Sequence, residues 1–245
     1  MTGLQTQHVD INVVCWSAPT VRENLAIDET LAQAMGMHGQ RVLRFWWGGP
    51  PAVVMGYSEH QEQVIDTMTC QRLGVEIVRR VTGGGTVLQT QGVLNYSLVM
   101  PDPGVLNLSQ GFRYGTDLLV ALLRACGITG QPAGTSDVIV GDRKISGNAQ
   151  ARRWHALLVH GTLLVHFDLD LADAVLRYPV REPAYRRRRS HRDFLVTLAD
   201  LGVGIPPDLL VPMGIDAARQ VFGSCDIRER TDTWLMSLIP STRRA

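Results

Sequence analysis

Three short stretches place side chains, or leave them out, in ways that could do chemistry. In RRVTGGGTVLQ, residues 79 to 89, two arginines precede three consecutive glycines, Gly83, Gly84 and Gly85. Glycine costs folding entropy and returns a backbone that takes φ > 0 or comes very near a ligand. Two readings follow: a loose hairpin turn between flanking strands, or a loop whose amide N–H groups wrap an anion while Arg79 and Arg80 pair its charge. In GDRKISGNAQARR, residues 141 to 153, Lys144 stands just before the small residues Ser146, Gly147, Asn148 and Ala149. A lysine is ordinarily a solvated surface residue. Beside room for a ligand, its point charge on a flexible stem suits a phosphate or oxyanion that gains charge during reaction. In HGTLL, His160 sits at the centre of an apolar run, either as a core residue satisfied by backbone or as a functional group, and Gly161 beside it permits close approach.

The chain that carries them has 245 residues, 45% hydrophobic and 19% charged, enough for one large domain or a domain with a small appendage. A formal net charge of +1 supplies no global field toward nucleic acid or membrane, so electrostatic recognition has to come from local patches. Arg186, Arg187, Arg188 and Arg189 form one, readable as a solvated loop or as a docking surface. Cys15, Cys70, Cys126 and Cys225 are irregularly spaced, with no CxxC pair and no zinc-type histidine spacing, so no metal site is expected and the thiols read as reduced. The N-terminus shows no basic segment followed by a long apolar one, and no run reaches the roughly 18 apolar residues of a membrane span. The expectation is a cytoplasmic protein with neither a nucleic-acid nor a membrane partner.

The elements that must position these stretches read as follows. Thr20 with Glu23 forms a capping box, and Ile27, Leu31 and Met35 recur at helical spacing, which predicts a helix from Thr20 to about Met37. AVVMGY, VEIVRRV, VLNYSLVM, DVIV and ALLVHGTLLVHF read as strands, several apolar on both faces and so covered by helices. Further helices fit Ser109 to Cys126 with Ser109 as N-cap and Gly127 as stop, Leu169 to Tyr178, and Ser190 to Leu201 with Gly202 as stop. Proline and glycine cluster from Gly204 to Pro212, which reads as a linker to a short tail. Strand pairs joined by glycine turns next to helices suggest a mixed α/β sheet.

In their order and separations, RRVTGGGTVLQTQGVLNYS, RKISGNAQ and HGTLL, preceded by the NLAIDETL helix, resemble the lipoate-protein ligase branch of the biotin/lipoate ligase and octanoyltransferase superfamily. The resemblance spans roughly Val14 to Leu201. It implies an α/β (α+β) fold, a mixed β-sheet flanked by helices around a bifurcated pocket, with an acyl chain in one arm and an adenylate in the other. The ligase-like catalytic domain would take residues 1–205 and a short C-terminal extension residues 206–245, with no large C-terminal accessory domain. Carried onto this sequence, the acyl-adenylate is lined by Arg79, Gly83, Gly84, Gly85, Thr86, Val87, Asn95, Asp137, Gly147, Ala149, His160 and Gly161, with Lys144 as the catalytic pocket lysine.

The activity implied is ATP-dependent: lipoate and ATP, with Mg²⁺ implied by nucleotide chemistry in general, give lipoyl-AMP, and the lipoyl group passes to a lysine of a carrier. Carriers of this kind are E2 subunits, glycine-cleavage H-like proteins or other lipoate-binding proteins. Gln89 and Thr90 replace a His-Asp pair common in relatives, and Val159-His160 replaces paired histidines. The accessory domain of longer relatives is either a separate subunit here or dispensed with. Competing readings are a cysteine-dependent octanoyltransferase, a biotin ligase, which the Lys144 motif disfavours, and a catalytically silent lipoyl-binding scaffold.

Overall fold

The structure, a computed structural model, describes residues 10–38, 41–102, 104–105, 107–223 and 227–238. In chain order its elements are β1 (Ile11–Cys15), α1 (Val21–His38), β2 (Arg41–Trp46), β3 (Ala52–Met55), α2 (Gln61–Val64), α3 (Thr67–Leu73), β4 (Glu76–Arg79), β5 (Val87–Gln89) and β6 (Val93–Pro101). Then follow α4 (Leu108–Ala125), β7 (Gln131–Ala133), β8 (Asp137–Val140), β9 (Arg143–Arg153), β10 (Ala156–Leu164), α5 (Leu169–Val175), α6 (His191–Phe194), α7 (Pro207–Phe222), β11 (Ile227–Arg230) and α8 (Asp232–Leu238). An eight-stranded mixed sheet runs β11-β1-β2-β6-β10-β9-β8-β7, and a separate three-stranded sheet runs β4-β3-β5.

The register of the three central strands sorts the side chains between two faces. Ser97, His160 and Ala149 stand in one row across β6, β10 and β9, and Asn95, Thr162 and Gly147 in the next row on that face. Tyr96, Gly161 and Asn148 form the row between them, directed to the other face by the period of two. That other face, with Leu43, Phe45, Tyr96, Leu98, Leu157 and Val159, closes against α4 and α7 in the largest core cluster. On the first face, Val42, Val99 and Leu158 pack beneath Ile27 and Leu31 of α1. A strip of this face is thus dry under α1 and polar farther along.

The Thr20–Glu23 capping box is present, with Glu23 N donating to Thr20 Oγ1 at 3.2 Å and Thr20 N to Glu23 Oε2 at 2.9 Å. Several boundaries differ from the sequence expectation. The N-cap of α4 is Asn107, which exchanges bonds with Gln110 in a complete capping box, rather than Ser109. Helix α5 ends at Val175 because Leu176 turns extended and bridges to Ile65. The helix expected from Ser190 to Leu201 is broken: Ser190 caps only one turn, Leu195 bridges to Lys144, and a short 3₁₀ turn follows at Ala199–Leu201 before Gly202. The Gly204–Pro212 stretch is no linker, since Pro207 occupies the first turn of α7, where its missing N–H costs nothing. Leu210, Val211 and Ala218 of that helix are buried in the main core, and β11 pairs in parallel with β1. Cys225 lies outside the described residues. Among the described residues, no helix is long and apolar enough to cross a membrane.

Candidate functional site

The glycine stretch does not join paired strands. It leads from β4 to β5, which flank β3 on opposite sides, so a hairpin turn is excluded. Arg80, only 7% exposed, explains its shape. Its Nη2 donates to the carbonyls of Gly83 at 2.6 Å and Gly85 at 2.8 Å, its Nε to Thr82 Oγ1 at 2.9 Å, and its Nη1 to the Val54 carbonyl at 3.3 Å. Burial pulls its pKa down to about 10, which leaves the guanidinium charged at neutral pH. With two carbonyls turned inward and Gly84 at φ +87°, the amides of Gly84 and Gly85 find no protein acceptor among the described residues. That is the arrangement by which successive amides receive an anion.

Arg79 does something else. Its Nη1 donates to the carbonyls of Gly56, Tyr57 and Glu59, and the side chain does not line the cleft. Its expected place at the ligand is therefore corrected: Arg79 ties down the 56–59 loop, and the inward arginine is Arg80. Gly83 likewise lies behind the lining, whereas Gly84, Gly85, Thr86 and Val87 form it.

The cleft opposite the loop measures about 380 Å³. A narrower chamber of about 110 Å³ adjoins it, sharing Thr86, Val87, Lys144, Gly147 and Thr162, and is walled by Val64, Leu88, Leu164, Phe167, Leu176 and Phe194. Asn95, Asp137, Lys144, Gly147, Ala149, His160 and Gly161 all line the larger cleft, so eleven of the thirteen candidate residues converge there. Lys144 lies at the junction. A β-bulge at Val138/Ile139 shifts the β8–β9 register beside it, a device that re-aims a side chain. Its Nζ donates to Asp137 Oδ1 at 2.8 Å, and Asp137 Oδ2 accepts from the Tyr185 hydroxyl at 2.7 Å. Gly147 faces Asp137 across the ladder, and a Cβ there would stand 2.7 Å from Nζ, so the absent side chain makes room for the ion pair. Burial, then Asp137, push the Tyr185 phenol far up, which keeps it a donor.

His160 belongs to neither of its simplest readings. Its Nε2 lies 2.7 Å from Thr82 Oγ1 and its Nδ1 3.3 Å from Asp28 Oδ2. Asp28, wholly buried, accepts from Arg44 Nη1 at 2.7 Å and from the Ser97 hydroxyl at 2.5 Å, and Arg44 also donates to Asn24 Oδ1. Burial pushes the Asp28 carboxyl up, but Arg44 and His160 outweigh it and hold the carboxyl below its ordinary value. With Thr82 Oγ1 accepting from Arg80, its single proton goes to His160, and the Nδ1–H of the ring goes to Asp28. A continuous polar chain thus runs from α1 through β2, β6 and β10 to the glycine loop. Gln89 and Asn95 pair by their amides at 2.7 and 3.2 Å.

Sequence reasoning missed Asn24, Asp28 and Arg44, although a polar pair at i, i+4 beside Ile27 and Leu31 was the available signal. It also missed Tyr185, Thr162 and the role of Arg186. The arginine run is not one patch: Arg187 and Arg188 are exposed with φ of 53° and 59°, Arg189 binds Asp142 at 2.8 Å, and Arg186 is 5% exposed between Tyr178 and Phe194. Burial lowers the pKa of Arg186, and its Nη2, like Trp46 Nε1, is a buried cleft-lining nitrogen with no protein partner. Among the described residues, no group of three His, Cys, Asp or Glu could hold a metal ion. Cys15, Cys70 and Cys126 all stand outside the cleft, and burial pushes the last two thiols up, away from the reactive thiolate.

A lipoyl protein ligase A/B catalytic domain model matches residues 20–219. Octanoyltransferase LipM of Carboxydothermus hydrogenoformans is 36% identical over 192 residues, 69% of this chain and 71% of that protein. A bi-partite lipoate protein ligase solved with its E2 lipoyl domain from Thermoplasma acidophilum superposes with a TM-score of 0.81 at 28% identity, covering 94% of this chain and 91% of that one. A lipoate-protein ligase A bound with ATP superposes with a TM-score of 0.80 at 27% identity, over 95% and 92%.

Proposed function

This chain belongs to the lipoyl protein ligase A/B catalytic domain family and is an enzyme of the lipoate ligase and octanoyltransferase kind; from that premise we propose that it is an ATP-dependent lipoate-protein ligase. The observation that carries the choice is the cleft itself. It pairs an anion-receiving glycine loop with a lysine, and no cysteine of the described residues lines it. A transferase of this family that passes its acyl group through a thioester needs a cysteine within roughly 3 to 3.5 Å of the carbonyl, and the residues before Asp137 that line the cleft are Thr135 and Ser136.

In this reading the acyl chain lies along Leu25, Trp46 and Val54, and the nucleotide enters the narrower chamber beneath Phe167 and Leu176. The lipoate carboxylate attacks the α-phosphorus of ATP, pyrophosphate leaves, and the phosphate of the resulting mixed anhydride sits between the amides of Gly84 and Gly85 and the Lys144 ammonium. Arg186 Nη2 supplies a further donor to the nucleotide. Mg²⁺ comes as the MgATP substrate, since both Asp137 oxygens are taken by Lys144 and Tyr185. Positioning and preformed positive charge supply the rate. The acceptor is the lysine of a lipoyl carrier domain, in line with the E2 lipoyl domain solved with the T. acidophilum enzyme, and a second subunit like that of the bi-partite relative is a further partner in this reading.

The test is a variant with Cys15, Cys70, Cys126 and Cys225 all replaced by Ala or Ser. It should still lipoylate a carrier domain when given lipoate, ATP and Mg²⁺, releasing pyrophosphate. If wild type instead transfers octanoate from octanoyl-carrier protein without ATP, and one of these replacements abolishes that, the transferase reading stands.

A further inference from the structure

Of the 24 Lys and Arg side chains, Lys144 alone is a lysine. Under the ligase reading, on which this inference rests, the enzyme holds an activated acyl group whose chemical fate is to acylate a lysine. An amide formed on Lys144 would destroy the cation that the site needs. Arginine guanidinium stays protonated and is not an acyl acceptor at neutral pH, so none of the arginines forms a stable amide with a leaked adenylate. The hazard is concentrated on one atom, Lys144 Nζ, in the cleft where the carbonyl would lie.

The structure surrounds that atom with a built clamp. Asp137 Oδ1 accepts from Nζ at 2.8 Å, with the carboxylate side chain 10% exposed. The Tyr185 hydroxyl fixes the other carboxylate oxygen at 2.7 Å. The notch at Gly147 lets the lysine stem fold back along its own strand to reach the carboxylate. An ammonium in this pair has no lone pair with which to attack a carbonyl. We propose that Asp137 is a guard: by its ion pair with Nζ it holds Lys144 as a charge-stabilising group and so keeps the enzyme from acylating its own pocket lysine. Without the guard, the fraction of Nζ that has given its proton to water attacks the acyl carbonyl carbon and a C–N bond forms. The C–O bond to the AMP phosphate breaks, AMP leaves with the electron pair, and the amine proton passes to water.

The experiment gives purified protein synthetic lipoyl-AMP with no carrier and follows intact mass, a measurement that the single lysine makes specific, with peptide mapping to exclude the N-terminal amine. Wild type should stay unmodified over the time in which Asp137→Asn gains one lipoyl group on Lys144. The adduct should form about tenfold faster or more, the change that losing one hydrogen bond to a charged group allows. Asp137→Ser, smaller and equally unable to hold the ammonium as a carboxylate does, should behave alike and covers a folding failure of the amide variant. Asp137→Asn with Lys144→Arg should gain nothing. Thermal stabilisation by lipoyl-AMP is read in parallel. Binding without any adduct in either Asp137 variant, or equal adduct in wild type, overturns the guard alone. Failure of wild type to bind lipoyl-AMP overturns the ligase reading, and this inference with it.

Discussion

Replacing Arg80 by lysine keeps the charge and removes the fork. In the structure Nε, Nη1 and Nη2 of Arg80 stand at three separate places, bonding Thr82, Val54, Gly83 and Gly85. One ammonium nitrogen cannot occupy all three. Arg80→Lys should lose the bonds to at least two acceptors, including one glycine carbonyl. A hydrogen bond to a charged group contributes about 1.5–3 kcal/mol; because Gly83 is only half-buried and Gly85 exposed, the freed carbonyl rehydrates, and the lower end applies, about 2–3 kcal/mol in all. That energy orders the loop, so the loss appears mainly as a smaller population of binding-competent loop. The expected effect is a roughly 30- to 150-fold weaker affinity for lipoyl-AMP, measured by calorimetric titration, with a smaller drop in Tm. Wild-type affinity in a folded Arg80→Lys protein would refute the idea that this arginine shapes the loop.

Lys144→Ala should slow adenylate formation by about a hundredfold, on the order of 3 kcal/mol of transition-state stabilisation, with an unchanged far-UV spectrum; adenylate formation at wild-type rate would remove Lys144 from the chemistry. Asp28→Asn leaves Arg44, 0% exposed, without its counter-charge and should cost about 3–5 kcal/mol at pH 7. The folded-state pKa of Asp28 is lowered, so its contribution is complete above the unfolded value of about 3.9 and fades as pH falls through the lowered one. The gap between the two proteins in chemical denaturation should therefore close below about pH 4, and a gap independent of pH would contradict the assignment. Arg187→Ser with Arg188→Ser, the exposed half of the run, should slow transfer to an acidic carrier domain and flatten its salt dependence while leaving pyrophosphate release alone; equal loss in both steps would mark a structural role.

How much of this was legible in the sequence depends on the range of the interaction involved. Helix α1 was readable because its capping box and apolar spacing are local, and β6 and β10 because long β-branched and leucine runs have few other uses. Strand β9 was not read as a strand, since RKISGNAQARR is polar: most of its side chains serve the cleft and the surface, and of them only Ile145 joins the main core cluster. The helix expected over Ser190–Leu201 failed because Leu195 and Val196 bond to Lys144 across the fold, a tertiary pairing that local propensity does not carry. The glycine loop was legible as a candidate ligand loop but not as to which arginine shapes it. Adjacent residues on a strand point to opposite faces, and only the pairing of β4 with β3 decides that Arg79 faces outward and Arg80 inward. Asp28 and Arg44 lie 16 positions apart in the chain, so their pairing had no local signature at all.

In the reaction proposed here an acyl-adenylate is held in the cleft and its acyl group passes directly to a carrier lysine. The most direct test is a rapid-quench single turnover with the purified chain, synthetic lipoyl-AMP carrying a radiolabelled lipoyl group, and a lipoyl carrier domain. A second subunit, if needed for activation, is bypassed because the adenylate is preformed. Label should move from the adenylate to the carrier lysine with release of one AMP per amide, and no hydroxylamine-sensitive thioester on the enzyme should appear at any time. Label passing first onto a cysteine of the enzyme, or no transfer from lipoyl-AMP alongside ATP-independent transfer from octanoyl-carrier protein, would contradict it.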